Sequence, residues 1–145
     1  MQLPWYVTAF GAAVIWGVHY PLLDFALKRL SVYSVLLLSV IPIFILMPLF
    51  LRELASDVDT FKLLPAREQC IILAIAVTST AGAVLLFLSI DSKNATLTSL
   101  IEISYPIFVV LFTYLFFKQL HLNLSVMFGG LLILSGAIII IVNNQ

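Results

Sequence analysis

The chain has 145 residues, 63% of them hydrophobic and only 10% charged, with a mean hydropathy of +1.18. Soluble domains carry about 25% charged residues, so this composition excludes an ordinary water-soluble globule and specifies an integral membrane protein. Seven basic and seven acidic side chains cancel to a formal net charge of zero, which removes the electrostatic basis for binding nucleic acid or for attachment to a charged membrane surface.

A helix needs roughly 20 apolar residues to cross about 30 Å of hydrocarbon. Five stretches reach that length, at about 4–27, 32–51, 69–90, 95–117 and 122–142. None shows the dyad alternation of a membrane barrel, so all five read as helices, and residues 1–145 as one all-α polytopic domain. The first run begins at Leu3 without a basic flank and is longer than the apolar core of a leader peptide. It is therefore expected to be a true first span.

In the first span, WGVHYP places Trp16, His19 and Tyr20 within about one turn. Gly17 permits close approach, and Pro21 has no N–H to offer the carbonyl of Gly17. Such rings suit stacking on a planar or amphipathic solute, although Trp and Tyr also gather at membrane interfaces for purely structural reasons. His19 has no neighbour at metal-ligand spacing. The lone Cys70 adds none, so neither a metal nor a cofactor is expected. Asp24 and Lys28, four apart, read as an end-of-helix pair.

The second span carries Pro42 and Pro48, which suit either a gating bend or a kinked, lipid-facing helix. Residues 52–68, RELASDVDTFKLLPARE, read as a polar loop, a solvated connector with room for a short interfacial helix. The third span holds VTSTAGA at its centre, where Thr78 and Gly82 form a small-x-x-x-small pair for close helix packing.

The fourth span contains a carboxylate, Glu102, about seven residues inside its start, or roughly 10 Å along the helix. An acid at that depth costs at least a few kcal/mol unless it faces water, a proton or a partner. Spacing of three and four places Thr98, Glu102, Tyr105, Val109 and Thr113 on one stripe. Two readings stand: Glu102 binds a cation or exchanges a proton for substrate, or it makes a structural hydrogen bond to a Ser, Thr or His of another helix. Pro106 cannot donate to the carbonyl of Glu102, which predicts a kink and a free carbonyl beside the carboxylate. The fifth span has no ionisable group and carries Gly129, Gly130, Ser135, Gly136 and Ala137. Small residues two turns apart form a seam that another helix can approach, so this span reads as scaffold or assembly surface.

An odd number of spans puts the termini on opposite sides, and Lys and Arg near the spans set the orientation. One side carries Arg52, Lys62, Arg67 and Lys118; the other carries Lys28, Arg29 and Lys93. That near-balance leaves two possibilities open. Lys28 and Arg29, close beside the first span, fix a single orientation, or the chain inserts both ways and pairs with an inverted copy around a midplane site, as many secondary transporters do with inverted repeats.

On these motifs the chain resembles the drug/metabolite transporter superfamily, specifically its EamA-type repeat, over essentially its whole length. The resemblance rests on Trp16, Gly17 and His19 in the first span, SLIEISYPIFVVLFTYLFF in the fourth, and GGLLILSGAIIII, with Gly129, Gly130 and Gly136, in the last. Most members hold two such repeats of opposite topology, so a single repeat implies an antiparallel homodimer of ten helices. The family's cavity implicates Trp16, His19, Tyr20, Glu102, Tyr105 and Pro106, with the last helix used for packing. The chain departs from the family at the start of the second helix, which lacks an arginine, and after the fourth, where FKQL replaces a glycine-glutamate turn.

The function expected is secondary transport, not enzymatic catalysis, in the cell membrane of a prokaryote. A metabolite or amphipathic compound is exported by alternating access, with Glu102 supplying charge or proton coupling. Trp16, His19, Tyr20, Tyr105 and Thr98 recognise the solute; Pro106, Pro21 and Gly17 supply helix breaks; and Gly82, Gly129, Gly130 and Gly136 pack helices. The alternatives are small-multidrug-type export, flipping of a lipid carrier, or service as the non-transporting partner of a heterodimer.

Overall fold

The computed structural model describes residues 4–119 and 123–144. Every regular element among them is helical: α1 Trp5–Leu27, α2 Val32–Leu46, a 3₁₀ turn Met47–Phe50, α3 Leu51–Leu63, α4 Ala66–Ser92, α5 Ala95–Glu102, α6 Tyr105–Phe117 and α7 Leu124–Asn143. Five apolar helical stretches are long enough to cross a membrane: α1, α2 through α3, α4, α5 through α6, and α7. The chain is a multi-pass membrane protein. The expected start of the last span at residue 122 lies outside the described residues, as does His121.

Helix ends are set by short polar side chains. Ser31, Asn94 and Asn123 each precede a helix in extended conformation and accept the N–H of Ser34, Leu97 and Val126, at 3.3, 2.8 and 2.8 Å. Each such cap contributes about 1 kcal/mol. At the end of α6, Lys118 closes the helix in the left-handed region, with φ 56° and ψ 25°. A side chain there costs about 1 kcal/mol relative to glycine. Lys118→Gly is accordingly expected to raise the melting midpoint in detergent by a few degrees; an unchanged or lower midpoint would contradict the cost assigned to this turn.

The chain forms two compact units, residues Leu22–Ser92 and the remainder on either side of them. In the Leu22–Ser92 unit, α2 lies beside α4. Leu23, Leu27, Val32, Val35, Phe87 and Ile90 are its buried apolar side chains. Their alternative surroundings are lipid and not water, so close packing, more than escape from water, is what their burial contributes. The end-of-helix pair is present, with Lys28 Nζ 3.3 Å from the Asp24 carboxylate.

The expected polar loop at 52–68 is corrected here: most of it is the helix α3. Leu51, Leu54, Val58 and Phe61 recur at intervals of three and four, an amphipathic helical period that outweighs the polarity of the segment. The α-helical part of the second span stops at Leu46, five residues before the expected end, because Pro48 cannot donate to the carbonyl of Phe44 and the chain tightens into the 3₁₀ turn. Pro65 ends α3 in turn by forcing Leu64 into extended backbone, with ψ 149°. The last turn of α3 is then satisfied from α4, whose Gln69 Nε2 donates to the carbonyls of Phe61 and Leu64 at 3.1 and 3.0 Å.

At the centre of α4 the hydroxyls of Thr78, Ser79 and Thr80 all turn back onto their own helix. Thr78 Oγ1 and Thr80 Oγ1 donate to the carbonyls of Ala74 and Ala76 at 2.8 Å, and Ser79 Oγ to Ala76 at 3.2 Å. Hydrocarbon offers no acceptor, so each donor is satisfied within the helix.

The other unit contains α1 as far as Pro21, together with α5, α6 and α7, and here α5 lies beside α7. Tyr20, Ala95, Thr98 and Ala137 are its buried side chains. The fourth span does not merely kink. It separates into α5 and α6 at Ile103 and Ser104, whose N–H groups reach back to Ser99 and Ile101 at 3.0 and 3.1 Å. Pro106 occupies the first turn of α6, where its missing N–H is tolerated. The N–H of Ile107 turns to the Ser104 carbonyl at 3.2 Å.

Candidate functional site

The break in the fourth span forms one wall of a cleft of about 580 Å³ in the unit that holds α5 to α7. The facing wall is one face of α1: Ala9, Ala12, Ala13, Trp16, Gly17, Tyr20 and Pro21 all line the cleft. Their spacing of three and four is that of a single helical stripe. The small residues leave the volume and the large ones bound it. A side chain at Gly17 would meet nothing within 4 Å, so this glycine is open cleft wall. From α5 and the start of α6 come Thr96, Ser99, Glu102 and Tyr105.

Trp16, Gly17, Tyr20, Pro21, Glu102 and Tyr105 thus line one cleft. Tyr20 is 9% exposed, whereas Trp16 and Tyr105 are 52% and 59% exposed. His19 does not line the cleft. It is half-buried and meets Trp16 edge to face, with ring centroids 5.1 Å apart. Tyr20 flanks the same indole at 6.1 Å. Ring pairs of this kind add about 0.5–1.5 kcal/mol and hold the indole in place.

Thr98 is not on the cleft either; it is buried. The cleft faces the side of Glu102 that Ser99 and Thr96 share, at intervals of three, and Thr98 looks away from it. Val109 and Thr113, to which the stripe was expected to continue, do not line the cleft, whose lining ends at Tyr105 in the first turn of α6. Thr96 and Ser99 were legible as hydroxyls three apart ahead of the acid, and Ala9, Ala12 and Ala13 as small residues one and two turns before Trp16. Neither set was picked out from the sequence.

Glu102 has no hydrogen-bond or ion-pair partner among the described residues, so the structural bond expected as one alternative is not found within this chain. Among the described residues no basic side chain lines the cleft. Pro106 borders a separate apolar groove of about 340 Å³ with Ile107, Val110, Met127 and Gly130. Pro21 lies within α1 and does not end it. Of the glycines expected to pack helices, Gly130 faces Ile107, whose Cγ1 would lie 3.8 Å from an added Cβ, while Gly82, Gly129 and Gly136 face open space within the chain.

The EamA-like transporter family matches the chain over residues 3–142. No curated protein and no solved structure matches it.

Proposed function

Because the chain belongs to the EamA-like transporter family, we propose that it is a secondary transporter of small molecules, exporting a metabolite or amphipathic compound from a prokaryotic cell. It works by alternating access as an antiparallel homodimer, with lipid around its apolar surface. The observation that carries the proposal is the meeting of Glu102 with Trp16, Tyr20 and Tyr105 across one cleft at a helix break. Broken helices at the bilayer midplane border the binding sites of many secondary transporters, because the freed backbone groups face a cavity and not lipid. The rings and hydroxyls of the cleft recognise the solute, and Glu102 provides the charge, exchanging its counter-cation or proton for cargo. His19 positions Trp16, Thr98 steadies α5, and Pro106 maintains the break. Gly17 and Pro21 form cleft wall.

Two features support pairing with an inverted copy. Lys and Arg are split four against three between the sides, and the small residues Gly129 and Gly136 face open space. Glycine at a seam allows backbones to approach, which substitutes for hydrophobic driving force in lipid. Gly129→Leu and Gly136→Leu are each expected to lower the yield of cross-linked dimer severalfold in membranes. Wild-type cross-linking in both variants would remove α7 as the assembly surface.

Flux in liposomes containing only the purified chain tests the function as a whole. Solute movement that depends on the chain supports a self-sufficient transporter. Movement that appears only after a second, oppositely inserted chain is added would make it half of a heterodimer.

A further inference from the structure

We infer that the Glu102 cleft is selective for organic cations: a single ammonium or similar positive centre carried on an apolar or aromatic body. The inference rests on the reading of this cleft as the transport site and adds the chemical class of the cargo.

Charge accounting favours this class over anionic and neutral solutes. Among the described residues Glu102 is the sole carboxylate that lines the cleft, and neither Lys nor Arg lines it. The basic side chains nearest in sequence are Lys93 and Lys118, which lie beyond the N-terminus of α5 and at the end of α6. Lys93 is nine residues from Glu102 in sequence, which along a helix amounts to about 13 Å. His19 sits against Trp16 on a neighbouring part of α1 and does not enter the cleft. Among the described residues, then, an ionised Glu102 has no fixed counter-charge in its cleft, which leaves a place for a mobile one. An anionic cargo would add a second negative charge beside it, and a neutral one would leave the first uncompensated.

The rest of the lining says what carries the positive charge. A bare metal ion needs several oxygen ligands, and among the described residues no group of three or more His, Cys, Asp or Glu side chains could hold one. The cleft instead is lined by the aromatic side chains of Trp16, Tyr20 and Tyr105, and rings of this kind attract a cation through their quadrupoles. Ala9, Ala12 and Ala13 leave apolar room behind them, and about 580 Å³ suits a drug-sized organic body.

The test uses the full chain in lipid nanodiscs, in a Trp5→Phe background, so that Trp16 is the remaining indole. Three probes of one shape are titrated against its fluorescence: benzyltrimethylammonium, its neutral carbon isostere neopentylbenzene, and the anion benzylphosphonate. Saturable binding of the cation, roughly tenfold or more tighter than either other probe, is expected. Glu102→Gln is expected to erase that preference and Glu102→Asp to keep it. Equal or tighter binding of the neutral or anionic probe would overturn the inference, as would full cation preference in Glu102→Gln. Should Glu102→Gln fail to fold, the wild-type ranking of the three probes still decides. Chain-dependent liposome flux of some other solute, with no cation binding, overturns the cation assignment and leaves the transport reading intact. Selective cation binding without flux of any solute supports the cation site and removes the transport reading.

Discussion

Glu102→Gln is expected to reduce flux in liposomes by roughly tenfold or more while protein yield stays at the wild-type level. Glutamine keeps the length, shape and acceptor oxygen of glutamate and adds an N–H donor, so a merely structural hydrogen bond would survive the change. What it removes is the negative charge and the exchangeable proton. Within this chain nothing depends on that charge for folding, since Glu102 joins no ion pair among the described residues and lines a cleft at the end of α5. Removing one member of a buried ion pair normally strands the other and costs stability; Glu102 has no such partner among the described residues, so the substitution is expected to act on cargo. Flux preserved in Glu102→Gln would show that the acid neither binds cargo nor couples its movement. A collapse in yield would show that it supports the fold.

The second large effect concerns orientation. Replacing Lys28 and Arg29 together by serine leaves Lys93 alone on one side against Arg52, Lys62, Arg67 and Lys118 on the other. Positive residues close to span ends stay in the cytosol, so every molecule is then expected to insert with the four-charge side inward. A reporter fused after Gln145 should move from both compartments to the outer one. Flux should fall with it, because no inverted partner remains. The folding cost of the change is small. Lys28 makes an exposed pair with Asp24, and Arg29 lies 3.7 Å over the ring of Phe25 while donating to the Phe25 carbonyl at 2.9 Å. Exposed pairs of this kind contribute about 0–1 kcal/mol. Coexpression with Arg52→Ser and Lys118→Ser, which biases the chain the other way, is expected to restore flux. A wild-type reporter found in one compartment only would rule out dual insertion before any substitution is made.

The five spans were legible because continuous apolar length is a direct readout of bilayer thickness, and Pro106 marked an irregular turn, although Pro21 and Pro42 are carried inside continuous helices. The amphipathic period of Leu51, Leu54, Val58 and Phe61 was equally present, but the density of charge between those residues argued for a loop. Which residues reach a cleft is a tertiary property, so Val109 and Thr113 stand at the right interval from Glu102 and yet do not line it. The same holds for Thr98 against Thr96 and Ser99. Both flank Glu102 on the helix, and only the position of α1 selects one side. Composition alone pointed to Glu102, Trp16, Tyr20 and Tyr105, since no other part of the chain combines an acid at membrane depth with rings.

The three hydroxyls of α4 have one more consequence. Thr78, Ser79 and Thr80 spend their donors on carbonyls of their own helix, so a neighbour sliding across that surface has no directional bond to break and none to remake. Being consecutive, the three point in different directions around α4, so at that level the helix can be pressed close from several sides without stranding a side-chain donor.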